Sequence, residues 1–160
     1  MTSKPSTTPS RALRLIAAGA GIAALLLIAT HFVRADAPAD RYVVDAAQMT
    51  ITDARTGLIW QQTVNANYYT LADAAAYCAG IRSGFTSAGF RLPTFKELMT
   101  LLDPTRSNPP VDAKAFPNTP TEWFWTASDA NPAGVAAVSF MNGETGFFAA
   151  SDALRVRCVR

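Results

Sequence analysis

With 160 residues, of which 49% are hydrophobic and 16% charged, the chain can build one packed domain and an accessory segment but not a second core. Its formal net charge is +2, yet four of the fourteen Lys and Arg precede Asp36, and that residue is the first of the twelve acidic ones. The remainder therefore carries 10 − 12 = −2. That balance excludes nucleic-acid binding driven by overall positive charge.

The first 35 residues have the pattern of a membrane-targeting segment. Lys4, Arg11 and Arg14 precede an uncharged stretch at 15–33, and small residues allow cleavage after Ala35. The stretch exceeds a usual signal-peptide core and approaches the roughly 20 residues that span a bilayer. Two interpretations stay open, a cleaved signal peptide and a retained N-terminal anchor, and both place residues 42–160 outside the cytoplasm. Residues 36–41 read as a linker.

The first elements are a hairpin and a helix. Apolar alternation at Val43, Met49 and Ile51 predicts a strand, and a turn at 53–57 leads to a second strand at 58–61. A helix is predicted to begin after the N-cap Thr70 and to end at Gly80. Its buried stripe is Leu71, Ala74, Ala75 and Cys78.

A second helix follows a loop that contains Gly and Ser. Thr94 and Glu97 form a capping box, and Asp103-Pro104 is predicted to end the helix. Its inner face comprises Phe95, Leu98, Leu101 and Leu102. Residues 104–122 then carry five prolines and little periodicity, which is long for a loop and indicates a functional excursion.

Strands dominate the last third of the chain. They are predicted at 123–127 and 135–141, and Asn142-Gly143 predicts a tight hairpin turn. The final strand alternates, with Leu154, Val156 and Cys158 on one face and Arg155, Arg157 and Val159 on the other. Helices followed by strands predict an α+β domain with antiparallel sheet.

Cys78 and Cys158 are the only two cysteines, and each lies on the apolar face of a predicted element. This placement favours a structural disulfide over a reactive thiol. Closing an 80-residue loop contributes about 4 to 5 kcal/mol in the chain-entropy model. A disulfide also agrees with export.

In this order, the elements carry motifs that resemble a known family of bacterial exported proteins, the domain of unknown function 1566, or Lcl C-terminal domain. The matching residues are Asp53, the run 56–61, 75–78, 90–94 with Glu97 and Leu98, Phe116-Pro117, Trp125, Phe140, Asn142-Gly143 and 156–160. The resemblance implies a C-type lectin-like fold, with two helices packed on a small antiparallel sheet. It also implies a disulfide from the first helix to the last strand and ligand binding at the surface.

Catalysis and cofactors are not expected. The only histidine, His31, lies in the targeting segment, which removes histidine-based catalysis and histidine zinc sites from the domain. The acid-Pro-Asn and Trp-Asn-Asp motifs that bind calcium and sugar in true C-type lectins are absent, so no metal site is predicted. Trp60 and Trp125 are interpreted as core.

Seven residues are candidates for ligand binding. They are Trp123, Asp129, Asn131, Asn142, Glu144, Arg155 and Arg157. Trp123 follows the long loop and is expected to be more exposed than Trp125, ready to stack on a sugar or a protein. Arg155 and Arg157, together with Arg160, form a basic stripe opposite the cysteine face and suit sulfate or carboxylate groups. Each group also has an explanation without a ligand. Ordinary packing explains Trp123, a solvated strand explains the arginines, and turn chemistry explains the other residues.

The sequence therefore predicts an exported, non-catalytic binding module. Its ligand is a glycan or a protein of the cell envelope, bound by the 104–122 loop and the following turns. The alternative is a structural or oligomerising envelope component that binds only other proteins. Periplasmic, cell-surface and secreted locations all fit, and the membrane is contacted only through the N-terminal segment.

Overall fold

The computed structural model describes residues 40–80, 89–130 and 132–160. The predicted targeting segment and most of the linker lie outside these residues. Eight elements follow in chain order: β1 (Tyr42–Asp45), β2 (Thr50–Asp53), β3 (Ile59–Gln61), α1 (Leu71–Ala79), α2 (Phe95–Met99), β4 (Trp123–Asp129), β5 (Val135–Ser139) and β6 (Thr145–Phe148). Within the described ranges no helix has both the length and the apolar character needed to cross a bilayer.

The first three strands form an antiparallel sheet in the order β1-β2-β3, called sheet 1 here. Ile51 lies opposite Trp60, and both side chains are fully buried. Met49, expected in a strand, instead takes a positive φ of 52° in the turn before β2. The predicted hairpin is thus a three-stranded sheet, because the turn at Met49 divides the first predicted strand into two.

Arg41, directly before β1, contacts two parts of the described structure. Its guanidinium donates to both carboxylate oxygens of Asp53, at 3.2 and 2.8 Å, and to the Thr100 carbonyl at 2.6 Å. The Asp53 side chain is completely buried. Arg41 therefore ties sheet 1 to the end of α2.

The last three strands form a second antiparallel sheet, β4-β5-β6, called sheet 2. As predicted, Asn142-Gly143 makes the turn between β5 and β6, with Gly143 at a φ of 81°. Because side chains alternate between the two faces of a strand, Phe124 and Val138 pack in one core with Leu98 of α2. Trp125 and Ala137 enter another core, which contains Cys78 of α1. Sheet 2 thus has a helix on each face, and the α+β prediction is confirmed with two sheets in place of one.

The C-terminal segment joins the two sheets and is not an outward-facing strand. Val159 pairs with Trp60 of sheet 1, and Arg155 pairs with Phe124 of sheet 2. Cys158 and Val159 have no exposed surface, and Arg157 is 1% exposed. The prediction of one solvent-facing side is wrong here, because Phe116 and Thr119 of the 104–122 segment cover Arg157.

The disulfide prediction is confirmed. Cys78 and Cys158 are bonded, with their Cα atoms 5.5 Å apart and a sequence separation of 80. Cys78 lies near the end of α1, which begins after Thr70 as predicted. The bond fastens α1 to the C-terminal segment inside the second core.

The 104–122 segment is irregular, as predicted, but its centre is not a surface excursion. Val111, Ala115 and Phe116 are buried in the same core as Trp60. The Phe116 ring packs edge-on against Tyr42 with 5.1 Å between centroids. The centre of this proline-rich segment therefore packs against sheet 1 as part of the core.

Candidate binding site

A groove of about 430 Å³ opens between α2 and β6. Nine residues line it: Thr94, Phe95, Lys96, Ser128, Ala130, Ala136, Thr145, Gly146 and Phe147. They come from the start of α2, the end of β4, the middle of β5 and the first three residues of β6. Four segments that are distant in sequence thus converge on one concavity.

Hydrogen bonds at the start of α2 hold the first wall of the groove. The Thr94 hydroxyl accepts from the Glu97 amide at 3.2 Å, and the Glu97 carboxylate accepts from the Thr94 amide at 2.7 Å, which completes the predicted capping box. The Phe95 amide donates to Ser128 Oγ at 2.9 Å. This last bond fastens the helix to β4, so Phe95 stays beside sheet 2.

The floor and the second wall come from one face of sheet 2. Ala136 of β5 lies opposite Phe147 of β6, and the small alanine leaves open space beside the phenyl ring. Ala136 is only 6% exposed, whereas Phe147 is 58% exposed. The exposed ring borders the recess and adds apolar surface to it. The groove is therefore an apolar recess with an aromatic edge.

Lys96 is the only charged residue that lines the groove. Glu97, the next residue, pairs with Arg91 through bonds of 2.8 and 2.7 Å. Hydrogen bonding by Arg91 lowers the pKa of Glu97 to about 2, so this carboxylate is ionised and already occupied. Hydroxyls of Thr94, Ser128 and Thr145 add polar contacts. The lining holds no carboxylate, imidazole or thiol, so it suits binding and offers no acid-base pair.

Trp123 does not project freely into solvent. It is half-buried, and its ring lies 4.9 Å from that of Phe148. A Cβ on Gly146 would come within 3.1 Å of the Trp123 ring. Trp123 and Trp125 are two residues apart on one strand and share a face, so both contact Phe148. That face is opposite the groove.

Of the predicted turn residues, Asp129, Asn142 and Glu144 are exposed but do not form one cluster. Asp129 pairs with Val135 at the end of sheet 2 where β5 begins. Asn142 and Glu144 lie beyond the other end of β5, where the Asn142 side chain accepts from the Glu144 amide at 3.2 Å. Asn131 lies outside the described residues. In the described part of the chain, no three His, Cys, Asp or Glu side chains are grouped to hold a metal.

The basic stripe is not a surface feature. Arg155 makes a two-pronged ion pair with Glu122, at 2.8 and 3.1 Å, and stacks on Tyr68 at 4.1 Å. Arg157 is buried and donates to the carbonyls of Gln61 and Gln62 at 3.0 and 2.8 Å. Their role as ligand-binding residues is therefore corrected, because both guanidinium groups are engaged by other parts of the chain.

Sequence reasoning missed the groove residues Lys96, Ser128, Ala136 and Phe147. Phe147 carried one usable signal, since adjacent phenylalanines on a strand point to opposite faces and both cannot enter the same core. Phe95 was assigned to the inner face of its helix, and it is only partly buried. The groove depends on where α2 crosses sheet 2, which spacing along the chain does not encode.

Fold and disulfide together define the class: a small α+β domain closed by one cystine, which is typical of domains that fold outside the cytoplasm. The particular family follows from residues 49–160, which match the Lcl C-terminal domain. The protein belongs to that family, which confirms the resemblance noted in its sequence. Family membership indicates a cell-envelope-associated module of a non-catalytic type. No curated protein matches the chain.

Proposed function

We propose that this domain is a non-catalytic binding module of the cell envelope that holds a glycan or protein ligand in the groove between α2 and β6. The observation that carries the proposal is the exposed Phe147 ring beside a recess of about 430 Å³. An aromatic face with neighbouring hydroxyls suits both a sugar ring and an apolar side chain. The C-type lectin-like character of the fold belongs to this proposal and is supported by the two helices that flank an antiparallel sheet.

The test is a binding screen with a matched pair of variants. The full chain, with its disulfide formed, is applied to a glycan array and to immobilised envelope proteins, with and without calcium. Phe147→Ser removes the ring from the groove, and Val43→Ser is the control, since Val43 is equally exposed at 58% but lies on sheet 1. We expect binding that Phe147→Ser abolishes and Val43→Ser preserves.

A second candidate is the structural or oligomerising role. Val43 and Val44 are 58% and 48% exposed on β1, which is the outer strand of sheet 1. Asp45 at the end of β1 is the strand's one charged residue, and an edge strand that exposes two valines favours pairing with another chain. Sedimentation of the same two variants separates the candidates: loss of self-association with Val43→Ser, and no effect of Phe147→Ser on any binding, would favour this role over the groove.

A further inference from the structure

The outer edge of β6 lacks a partner among the described residues. Sheet 2 is ordered β4-β5-β6, and no strand pairs with the far side of β6. The Ser139 amide donates to the Glu144 carbonyl at 2.8 Å, which makes these two residues a hydrogen-bonded pair. Because such pairs alternate along an antiparallel ladder, Thr145 and Phe147 direct their backbone N–H and C=O groups away from β5. The edge therefore offers two donors and two acceptors.

This edge also lacks the usual protection against pairing. Natural edge strands carry lysine, proline or inward-pointing charge. The β6 sequence is Thr-Gly-Phe-Phe, with no charged residue and no proline. After Glu144 the next charged residue is Asp152. An uncharged edge is suited to receiving another strand.

The groove and the edge are continuous, because Thr145 and Phe147 belong to both. In a strand added beside β6, every second side chain would point to the same face as Phe147. The groove runs over that face between Phe147 and Phe95, and it can take a large apolar side chain. Lys96 at the rim complements a carboxylate, and no second lining residue opposes that charge.

We propose that the ligand of this groove is an extended peptide segment of another envelope protein. The segment adds to sheet 2 as a strand beside β6. It places an apolar side chain against Phe147 and an acidic side chain near Lys96. This inference rests on the proposed binding function and names its ligand class. It favours peptide over glycan because a sugar would leave the open backbone groups of β6 unused.

The first experiment selects ligands from short random peptides displayed on phage, using the full chain with its disulfide formed. The expected consensus is an extended sequence with an apolar residue and an acidic residue. Synthetic peptides of that consensus are then measured by fluorescence anisotropy. Phe147→Ser should weaken binding by about tenfold or more, as expected for an aromatic residue that anchors an interface, and Val43→Ser should leave the affinity unchanged.

Charge and backbone pairing have their own tests. Lys96→Glu should reverse the preference from acidic to basic peptides. Lys114 is an exposed lysine outside the groove, so Lys114→Glu should not.

N-methylation of the peptide removes one backbone donor at a time. Methylation at alternate residues should weaken binding by about tenfold, and methylation at the residues between them should have little effect.

The outcomes distinguish the two proposals. Peptides that bind with no alternation in the N-methyl series, or with no loss on Phe147→Ser, would overturn strand addition at β6. Glycans that bind and are lost on Phe147→Ser, without any selected peptide, would overturn the peptide inference and leave the proposed function standing. Failure of both ligand classes would overturn both.

Discussion

Arg157 is the residue whose surroundings differ most from expectation. Strand alternation placed it opposite Cys158 and therefore in solvent, yet it is 1% exposed and packs 4.7 Å above the Phe116 ring. Its partners are two carbonyls of sheet 1 and the Thr119 hydroxyl at 2.7 Å. Burial lowers the pKa of Arg157 to about 9, which leaves it protonated at neutral pH. It joins three parts of the chain through donors alone.

We expect Arg157→Ala to lower the free energy of unfolding by about 3 kcal/mol, because it leaves a cavity and buried acceptors without donors. Arg157→Met retains most of the volume and removes the buried charge, so its loss should be smaller, about 1 kcal/mol. Urea denaturation measures both. Arg55→Ala is the control, since Arg55 is exposed and should change stability by less than about 0.5 kcal/mol. Equal stability of Arg157→Ala and Arg55→Ala would contradict the structural role.

Trp123 gives the second prediction at this scale, which separates packing from recognition. Trp123→Ala should lower unfolding free energy by about 1 to 3 kcal/mol through lost contact with Phe148. It should not change affinity for any ligand of the groove, because the ring lies on the other face of sheet 2. Stability is followed by thermal unfolding and affinity by anisotropy. Reduced affinity at unchanged stability would instead support the sequence-based assignment of Trp123 to a ligand site.

At the scale of elements, α2 shows how five residues are held in a fixed position. Glu97 caps the helix N-terminus and pairs with Arg91 of the preceding segment. The Phe95 amide is satisfied by Ser128 of β4. A helix of this length is not stable by itself, so these side chains decide whether it forms. They also position the groove wall.

Glu97→Gln should reduce stability at pH 7 by up to about 1 kcal/mol, because it removes the ion pair with Arg91 while glutamine can still cap the helix. The folded pKa of Glu97 is about 2, below its ordinary 4.5. Its stabilising contribution is therefore fully present above pH 4.5 and is lost as the pH falls towards 2. The stability difference between the native protein and Glu97→Gln should shrink over that range, measured by chemical denaturation at each pH. A constant difference would contradict the ion pair, and Glu144→Gln serves as the exposed control.

Local elements were predictable where the signal was local. The capping box at Thr94, the N-cap at Thr70 and the Asn142-Gly143 turn all form as expected, because each depends on residues within one turn. The prediction that one side of the final segment faces solvent was wrong for the opposite reason. Alternation reports which side chains share a face, but whether a face meets solvent depends on neighbours from elsewhere in the chain. Phe116 and Thr119 of the 104–122 segment cover the side expected to be open.

At the scale of the whole molecule, the Cys78–Cys158 bond closes an 80-residue loop that contains α2, sheet 2 and the proline-rich segment. Replacing both cysteines by alanine should lower the free energy of unfolding by about 4 kcal/mol in the chain-entropy model. Guanidinium denaturation measures the loss. For a domain of ordinary stability this is a large fraction of the total.

A reductant provides the matched control. It should destabilise the native protein by a similar amount and leave the double alanine variant unchanged, because no bond remains to be broken. A variant as stable as the native protein would mean that the loop is ordered equally well without the bond. Binding to the groove should survive in whatever fraction remains folded, since neither sulfur lies in its lining.

The sequence by itself determined the α+β class, the pairing of the two cysteines, both helix starts and the absence of histidine from residues 42–160. These follow from local capping chemistry, periodicity and composition, which need no knowledge of distant neighbours. Only the tertiary structure decided that Arg157 is buried, that Phe116 is core and that Phe147 is open beside a groove. Those outcomes depend on which segments cross, because burial is a property of contacts between residues far apart in the chain.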